Sequence, residues 1–212
     1  MFYKYVIFDM DGLIFDSEYL IYEIVRDRMA LHGYDLPPDF FATTLGICNE
    51  DSDILFAERY PGYAYNADTD IEEFKKRIAD GHLRVKPGLP ELLEHLEKLG
   101  VRKCIASSNE RWAIDLCLNS AGLTERFEFI LSAESVEQCK PAPDLFLAAA
   151  EKLGASPGEC LVLEDSMPGL NAAFAAGCPV IAIPDMAQPP QDVAERCLGV
   201  HETLHDVTKL FS

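Results

Sequence analysis

The feature that most constrains the fold of this sequence is a set of five short, mostly apolar runs. Runs of this length without polar alternation are typical of strands that are buried on both faces of a parallel sheet. They lie at Tyr5–Phe8, Lys103–Ala106, Glu128–Leu131, Cys160–Leu163 and Val180–Ile183. We therefore expect a sheet that is covered by other elements on each side.

Helical patterns lie between most of these runs. In residues 87–100, five leucines recur at helical spacing, with Pro90 near the start and Gly100 at the end. A second helix is predicted between Pro143 and Gly154. Strands that alternate with helices predict an α/β fold, a Rossmann-like parallel sheet with helices on both faces.

The region between the first two strands breaks this alternation. It contains an apolar stripe from Leu20 to Met29 and further helical patterns at residues 51–59 and 70–79, without a confident strand. We therefore predict two units: a Rossmann-like core of residues 1–15 and 84–212, and an inserted all-helical cap domain of residues 16–83. We call the latter the helical insert.

The net charge of −18 excludes several classes of partner. Such a chain repels nucleic-acid phosphates and anionic lipids, so we expect a small-molecule partner, no nucleic acid and no membrane.

Seven scattered cysteines without a CxxC spacing argue against a disulfide framework and a zinc site, and favour reduced thiols in the cytoplasm. The apolar N-terminus reads as a strand, not as a signal peptide. A monomer is expected, with a dimer left open.

Polar and charged side chains follow four of the five predicted strands. Because the carboxyl ends of parallel strands meet at one edge of a sheet, these side chains should lie close together. They are Asp9 and Asp11, then Ser107 and Ser108, then Lys140, and finally Glu164 and Asp165.

These residue types fit phosphoryl transfer. A carboxylate that attacks a phosphate dianion is repelled by it, so a divalent cation must lie between them, and Asp9 and Asp165 offer the oxygen ligands that Mg²⁺ prefers. Lys140 adds a fixed positive charge, and Ser107 adds a hydrogen-bond donor for a phosphoryl oxygen. Asp11 could protonate the leaving oxygen and later deprotonate water.

Each feature alone has a simpler structural explanation. An isolated Asp-x-Asp is usually a turn or a helix cap, and Glu164 with Asp165 could merely cap the next helix. Lys140 before a proline could be a solvated loop residue. Four such features at four strand ends favour a catalytic site.

Four segments closely resemble, in order and spacing, the signature motifs of the haloacid dehalogenase-like hydrolase superfamily: FDMDGLIFDSE, IASSN, CKPAPDLF and LVLEDSMPGLNAAFAAG. The helical insert resembles the cap of the β-phosphoglucomutase and sugar-phosphatase branch. The resemblance implies an Mg²⁺-dependent phosphatase in which Asp9 is the nucleophile and forms an aspartyl-phosphate. It also implies that Asp11 is the general acid and base.

The same resemblance implies the remaining ligands. Mg²⁺ would be held by Asp9, Asp165 and the backbone carbonyl of Asp11, with Glu164 supporting the metal site. Ser107, Ser108 and Lys140 would bind the phosphoryl group.

The resemblance also points to a substrate-specificity loop that contains Gly46, Cys48 and Asn49. β-Phosphoglucomutases carry an arginine at the position of Asn49 and a cap histidine near Leu20 and Ile21. Both departures favour hydrolysis of a small phosphorylated metabolite, such as a sugar phosphate, over a phosphomutase, which stays the alternative. The second aspartate of the Asp-x-Asp motif disfavours dehalogenation, and the complete set of motifs disfavours a non-catalytic binding module.

Overall fold

The computed structural model describes residues 3–45, 49–63 and 67–211. Its strands are β1 (Tyr5–Phe8), β2 (Arg102–Ala106), β3 (Ile130–Leu131), β4 (Cys160–Glu164), β5 (Val180–Ala182) and β6 (Gly199–Val200). They form one six-stranded sheet in the order β3-β2-β1-β4-β5-β6. All neighbouring strands pair in parallel. The predicted Rossmann-like α/β class is confirmed.

The sheet differs from the predicted strands at its edges. The third run shortens to Ile130–Leu131, and the sixth strand, Gly199–Val200, was not predicted. Both are two-residue strands at the two edges of the sheet, where one neighbour supplies all the pairing. A strand as short as β6 leaves no run of apolar residues in the sequence.

The helical insert follows β1. Its helices are α1 (Ser17–Leu31), α2 (Pro38–Ala42), α3 (Asn49–Arg59) and α4 (Ala67–Ala79). Three of them match the predicted helical patterns, whereas the five-residue α2 was not predicted. Tyr22, Phe41, Phe56 and Tyr60 pack together and form an aromatic core within the insert.

The helices of the core follow the insert. They are α5 (Leu89–Lys98), α6 (Arg111–Ser120), α7 (Asp144–Leu153), α8 (Met167–Ala176), α9 (Gln191–Ala194) and α10 (Leu204–Thr208). Short 3₁₀ turns occupy Thr124–Arg126, Ala133–Ser135, Pro157–Glu159 and Lys209–Phe211. In the described parts of the chain, no helix has the length and apolar character needed to cross a membrane.

Alternation along the strands sends side chains to opposite faces of the sheet. Val6 and Phe8 of β1 pack on one face with α5, α6 and α10. Ile7 packs on the other face with α7 and α8. β1 is therefore apolar on both faces, which explains its continuous apolar run.

Two linkers join the helical insert to the core. The backbone N–H of Asp16 donates to the carbonyl of Arg84 at 2.9 Å, and that of Lys86 donates to the carbonyl of Ile14 at 2.9 Å. The outgoing and returning chains thus run side by side at the base of the insert, beside the carboxyl end of β1.

Among the described residues, the cysteines depart from expectation at Cys139. Five described cysteines are free thiols: Cys104, Cys117, Cys160, Cys178 and Cys197. Burial raises the pKa of Cys178 to about 12 and that of Cys160 to about 11, so these thiols are unreactive. Cys139, however, is disulfide-bonded, so the expectation of reduced thiols is wrong there. Wide spacing along a chain does not determine which residues meet in space.

Candidate active site

The predicted site residues meet at the carboxyl edge of the sheet. Phe8 at the end of β1 pairs with Ile105 of β2 and Leu163 of β4, so the residues that follow these three strands become neighbours. They line a cavity of about 230 Å³ that lies between the sheet edge and the helical insert. Its floor includes Asp9, Asp11, Ser107, Ser108 and Asp165.

Two predicted residues lie beneath this floor. Lys140 and Glu164 are buried, with 1% and 0% of their surface exposed. The Lys140 ammonium donates to Asp9 Oδ1 and, at 2.6 Å, to Glu164 Oε1. Burial alone lowers the pKa of Lys140, but the two carboxylates raise it more, so the pKa lies above its ordinary value and the ammonium stays charged. Lys140 is therefore not a solvated loop residue.

Glu164 is held in one orientation by donors on both oxygens. Its Oε2 accepts from the backbone N–H of Asp165 at 2.9 Å and from that of Ser166 at 2.8 Å. The Ser166 hydroxyl adds a third hydrogen bond at 3.0 Å. Because Oε1 is bonded to Lys140, Glu164 connects the start of α8 to the ammonium beside Asp9.

The acidic cluster fits a divalent cation. Carboxylate oxygens of Asp9, Glu164 and Asp165 all lie within 4.8 Å of one another. Asp165 Oδ1 is buried and has no hydrogen-bond partner among the described residues. Burial raises the pKa of both Asp9 and Asp165, and neighbouring carboxylates raise it further, whereas the Lys140 ammonium partly offsets the increase at Asp9. A cation at this position would relieve that repulsion, and oxygen donors suit a hard ion.

Asp11 is held by three side-chain donors. Its Oδ1 accepts from the Ser17 hydroxyl at 2.6 Å, and its Oδ2 accepts from the Asn109 amide at 2.7 Å and the Ser107 hydroxyl at 3.4 Å. Burial raises the pKa of Asp11, while the hydrogen bond from Ser17 lowers it, with a net increase. A carboxyl with a raised pKa can carry a proton to a leaving group.

Three residues of the site were not assigned a role from the sequence. Ser17 and Asn109 position Asp11, and Glu18 lines the cavity with a buried carboxyl. Burial and the nearby Asp11 raise the pKa of Glu18 well above its ordinary value. Ser17 and Glu18 belong to the first motif, and Asn109 ends the second. Their closeness in sequence to the ends of β1 and β2 was the signal that could have identified them as site residues.

The predicted specificity residues stay predictions. Gly46 and Cys48 lie outside the described residues, and α3 begins at Asn49, whose side chain is also outside them.

The sequence and the fold are matched by known proteins. Residues 6–183 match the model of the family described as haloacid dehalogenase-like hydrolase. The chain therefore belongs to the haloacid dehalogenase-like hydrolases. It is 35% identical over 186 residues to the protein YhcW of Bacillus subtilis (strain 168), in a match that covers 86% of this chain and 84% of the relative.

One further relative narrows the class, and one solved structure matches the fold. The chain is 29% identical over 180 residues to a phosphorylated carbohydrates phosphatase of Thermotoga maritima, across 81% of each chain. The crystal structure of CbbY from Rhodobacter sphaeroides in complex with phosphate superimposes with a TM-score of 0.83, covering 97% of this chain and 96% of that chain. Its identity is 22%, so it supports the fold alone. Within the family, this protein is a phosphatase, a phosphoric monoester hydrolase.

Proposed function

We propose that the protein is an Mg²⁺-dependent phosphatase that hydrolyses a small phosphorylated metabolite, such as a sugar phosphate, through an aspartyl-phosphate on Asp9. The observation that carries this proposal is the placement of Lys140 between Asp9 and Glu164, directly below a cavity. A fixed ammonium beside a nucleophilic carboxylate favours the approach of a phosphate dianion. The name of the Thermotoga maritima relative supports the substrate class.

The reaction has two half-reactions, in which Asp9 is the nucleophile and Asp11 is the general acid and then the general base. Asp9 attacks phosphorus, the bond from phosphorus to the ester oxygen breaks, and Asp11 gives its proton to that oxygen. Water then attacks phosphorus, Asp11 takes the water proton, and the bond to Asp9 breaks to release inorganic phosphate. Lys140 and the hydroxyls of Ser107 and Ser108 bind the phosphoryl oxygens.

The metal is proposed to bind at the acidic cluster. When bound, Mg²⁺ would neutralise charge between the Asp9 carboxylate and the phosphate. Its ligands would be Asp9, Asp165 and the backbone carbonyl of Asp11, with Glu164 in support. Asp165 Oδ1, which is buried and has no donor among the described residues, supports this assignment.

We also propose that the helical insert acts as a cap that shields the bound phosphate ester from bulk water. Its helices supply the cavity wall opposite Asp9, and Gly46, Cys48 and Asn49 would contact the leaving group. Closure of this kind suppresses side reactions of a phosphorylated enzyme. A cytoplasmic, monomeric enzyme remains part of the proposal.

Phosphate release from a panel of phosphorylated metabolites tests the function. We expect wild-type turnover with Mg²⁺ and no turnover by Asp9→Asn, because an amide does not attack phosphorus. Asp192→Asn, at an exposed aspartate of α9, should retain activity and is the matched control. Hydrolysis by Asp9→Asn at the wild-type rate would show that another group is the nucleophile. Efficient interconversion of glucose 1-phosphate and glucose 6-phosphate in the presence of glucose 1,6-bisphosphate would show that the protein is a phosphomutase and not a phosphatase.

A further inference from the structure

We infer that the substrate is a phosphate monoester whose alcohol half carries no negative charge and presents an apolar face. Bisphosphates and phosphorylated acids would then be poor substrates. This inference rests on the proposed function and adds the class of leaving group.

The cavity wall opposite the phosphoryl-binding end is largely apolar. It is formed by side chains of the helical insert and by one aromatic side chain of the core helix α6. They include Ile21, Val25, Phe41, Phe56, Phe74 and Trp112. Burying an apolar face of the alcohol half against such a wall stabilises the complex, because apolar surface is removed from water.

The charged side chains on this side of the cavity are carboxylates. Asp53 and Asp70 of the helical insert line it. The side chain of Asp53 is exposed. A hydroxyl or an ammonium group of the alcohol half could donate to the Asp53 carboxylate, whereas a phosphate or carboxylate would be repelled by it.

The cavity surface itself presents no cation, as far as the described residues extend. Among the described lining residues there is no lysine, arginine or histidine. The side chains at residues 46–50 and 64–68 lie outside the described set, and the sequence places no lysine, arginine or histidine there either. A second anionic group would therefore lose its water without gaining a positive partner, which is costly.

The cations near the cavity already have anionic partners. Lys140 bonds Asp9 and Glu164 at the catalytic end. Arg28 pairs with Asp70 behind the wall. Lys75 pairs with Glu72 at 2.8 Å, and its ammonium lies 5.2 Å from the centre of the Trp112 ring. Recruiting Arg28 or Lys75 to a second phosphate would expose the charge of its present partner.

Three phenyl phosphates that differ only in a para substituent test the inference. The substituents are 2-hydroxyethyl, 2-aminoethyl and carboxymethyl, in which a methylene group insulates the ring and keeps the phenols similar as leaving groups. We expect kcat/KM for the carboxymethyl ester to be about tenfold or more below that for the hydroxyethyl ester. The aminoethyl ester should match or exceed the hydroxyethyl ester. An equal or higher kcat/KM for the carboxymethyl ester would overturn the inference.

A charge reversal in the wall provides a second test. Asp53→Lys should lower the ratio of kcat/KM between the hydroxyethyl and carboxymethyl esters. Glu58→Lys makes the same change at an exposed position of α3 outside the cavity wall and should leave that ratio as in the wild type. An equal change of the ratio in both variants would show that only overall charge matters and would contradict the inference.

Failure of the proposed function gives a different result. If neither these esters nor p-nitrophenyl phosphate is hydrolysed in the presence of Mg²⁺, the phosphatase proposal fails. The dissociation constants of the intact esters, measured by calorimetry on the wild-type protein, then decide the inference separately. Tighter binding of the hydroxyethyl ester than of the carboxymethyl ester supports it, and the reverse order overturns it.

Discussion

The backbone of Gly169 lies directly against the carboxylate of Glu164. A Cβ built on Gly169 would lie 1.7 Å from Oε1 and 2.4 Å from Oε2 of Glu164, distances that no real contact adopts. Any side chain at position 169 must therefore displace Glu164. Since Glu164 binds the ammonium of Lys140, the absence of a side chain at Gly169 helps to position Lys140 beside Asp9.

Gly169→Ala should consequently impair catalysis from a position that does not contact the substrate. Displacing a residue that orients the site typically costs about 10–100-fold in activity or metal affinity, and we expect a loss of that size in kcat/KM. Gly158→Ala is the matched control, because a Cβ there meets nothing within 4 Å. Steady-state kinetics at saturating Mg²⁺ measure both variants. Equal activity of the two would show that the orientation of Glu164 does not matter.

Lys140→Met should destabilise the protein and remove most of its activity. Removing one partner of a buried ion pair leaves uncompensated charge and typically costs roughly 3–5 kcal/mol. Lys209→Met, which removes an ammonium that pairs with Asp206 at the surface, should cost far less stability, because water screens an exposed ion pair. Urea unfolding monitored by circular dichroism gives both free energies. Similar losses in the two variants would contradict the structural role of Lys140.

The stability of the metal-free protein should fall as the pH rises. Burial raises the pKa of Asp9 to about 8, and Asp11, Glu18 and Asp165 also have raised pKa values. Above the ordinary carboxyl pKa of about 4, the unfolded chain has released protons that the folded protein still holds. The free energy of unfolding then decreases with increasing pH, up to the raised pKa of the folded state.

Mg²⁺ should reverse part of this loss, because it binds the ionised carboxylates. The increase in Tm on adding Mg²⁺ should therefore be larger at pH 8 than at pH 5. Thermal unfolding with excess Mg²⁺ and with a chelator, at both pH values, measures it. An increase in Tm that does not depend on pH, or none at all, would argue against a metal at these carboxylates.

Asp11→Asn should separate the two half-reactions. An asparagine keeps the backbone carbonyl but gives no proton to a leaving oxygen, so alkyl phosphates should slow by about 10²–10⁴-fold. An aryl phosphate with a good leaving group needs little protonation, so it should phosphorylate Asp9 quickly and then turn over slowly. Stopped-flow measurement should show a burst of aryl alcohol near one per active site. Wild-type rates with both ester types would exclude Asp11 as the acid and base.

The strand ends made the floor of this site predictable from the sequence. Parallel pairing brings the residues after β1, β2 and β4 together, so the positions of Asp9, Ser107 and Asp165 along the chain were enough to place them at one edge of the sheet. Lys140 follows the edge strand β3. It was assigned to the site only because it occurs together with the polar residues that follow the other three strands. Its burial between two carboxylates depends on how the loop after β3 folds beneath the floor.

Other features depended on contacts that no local pattern carries. Ser17 begins α1 and Asn109 lies beyond β2, and they meet at Asp11 only because the insert packs over the sheet edge. The acidic residues of the upper wall, Asp53 and Asp70, likewise come from two different helices. The two-residue strand β6 and the short helix α2 were missed because tertiary packing, rather than periodicity, maintains elements of that length.

Identification of a phosphorylated residue tests the central claim most directly. The Asp11→Asn variant is mixed with an aryl phosphate and Mg²⁺, quenched in acid during the burst and digested for mass spectrometry. We expect one phosphoryl group on the peptide that contains Asp9, and none when the same peptide comes from the variant that also carries Asp9→Asn. A burst of aryl alcohol with the phosphoryl group on another residue, or on none, would contradict the assignment of Asp9 as the nucleophile.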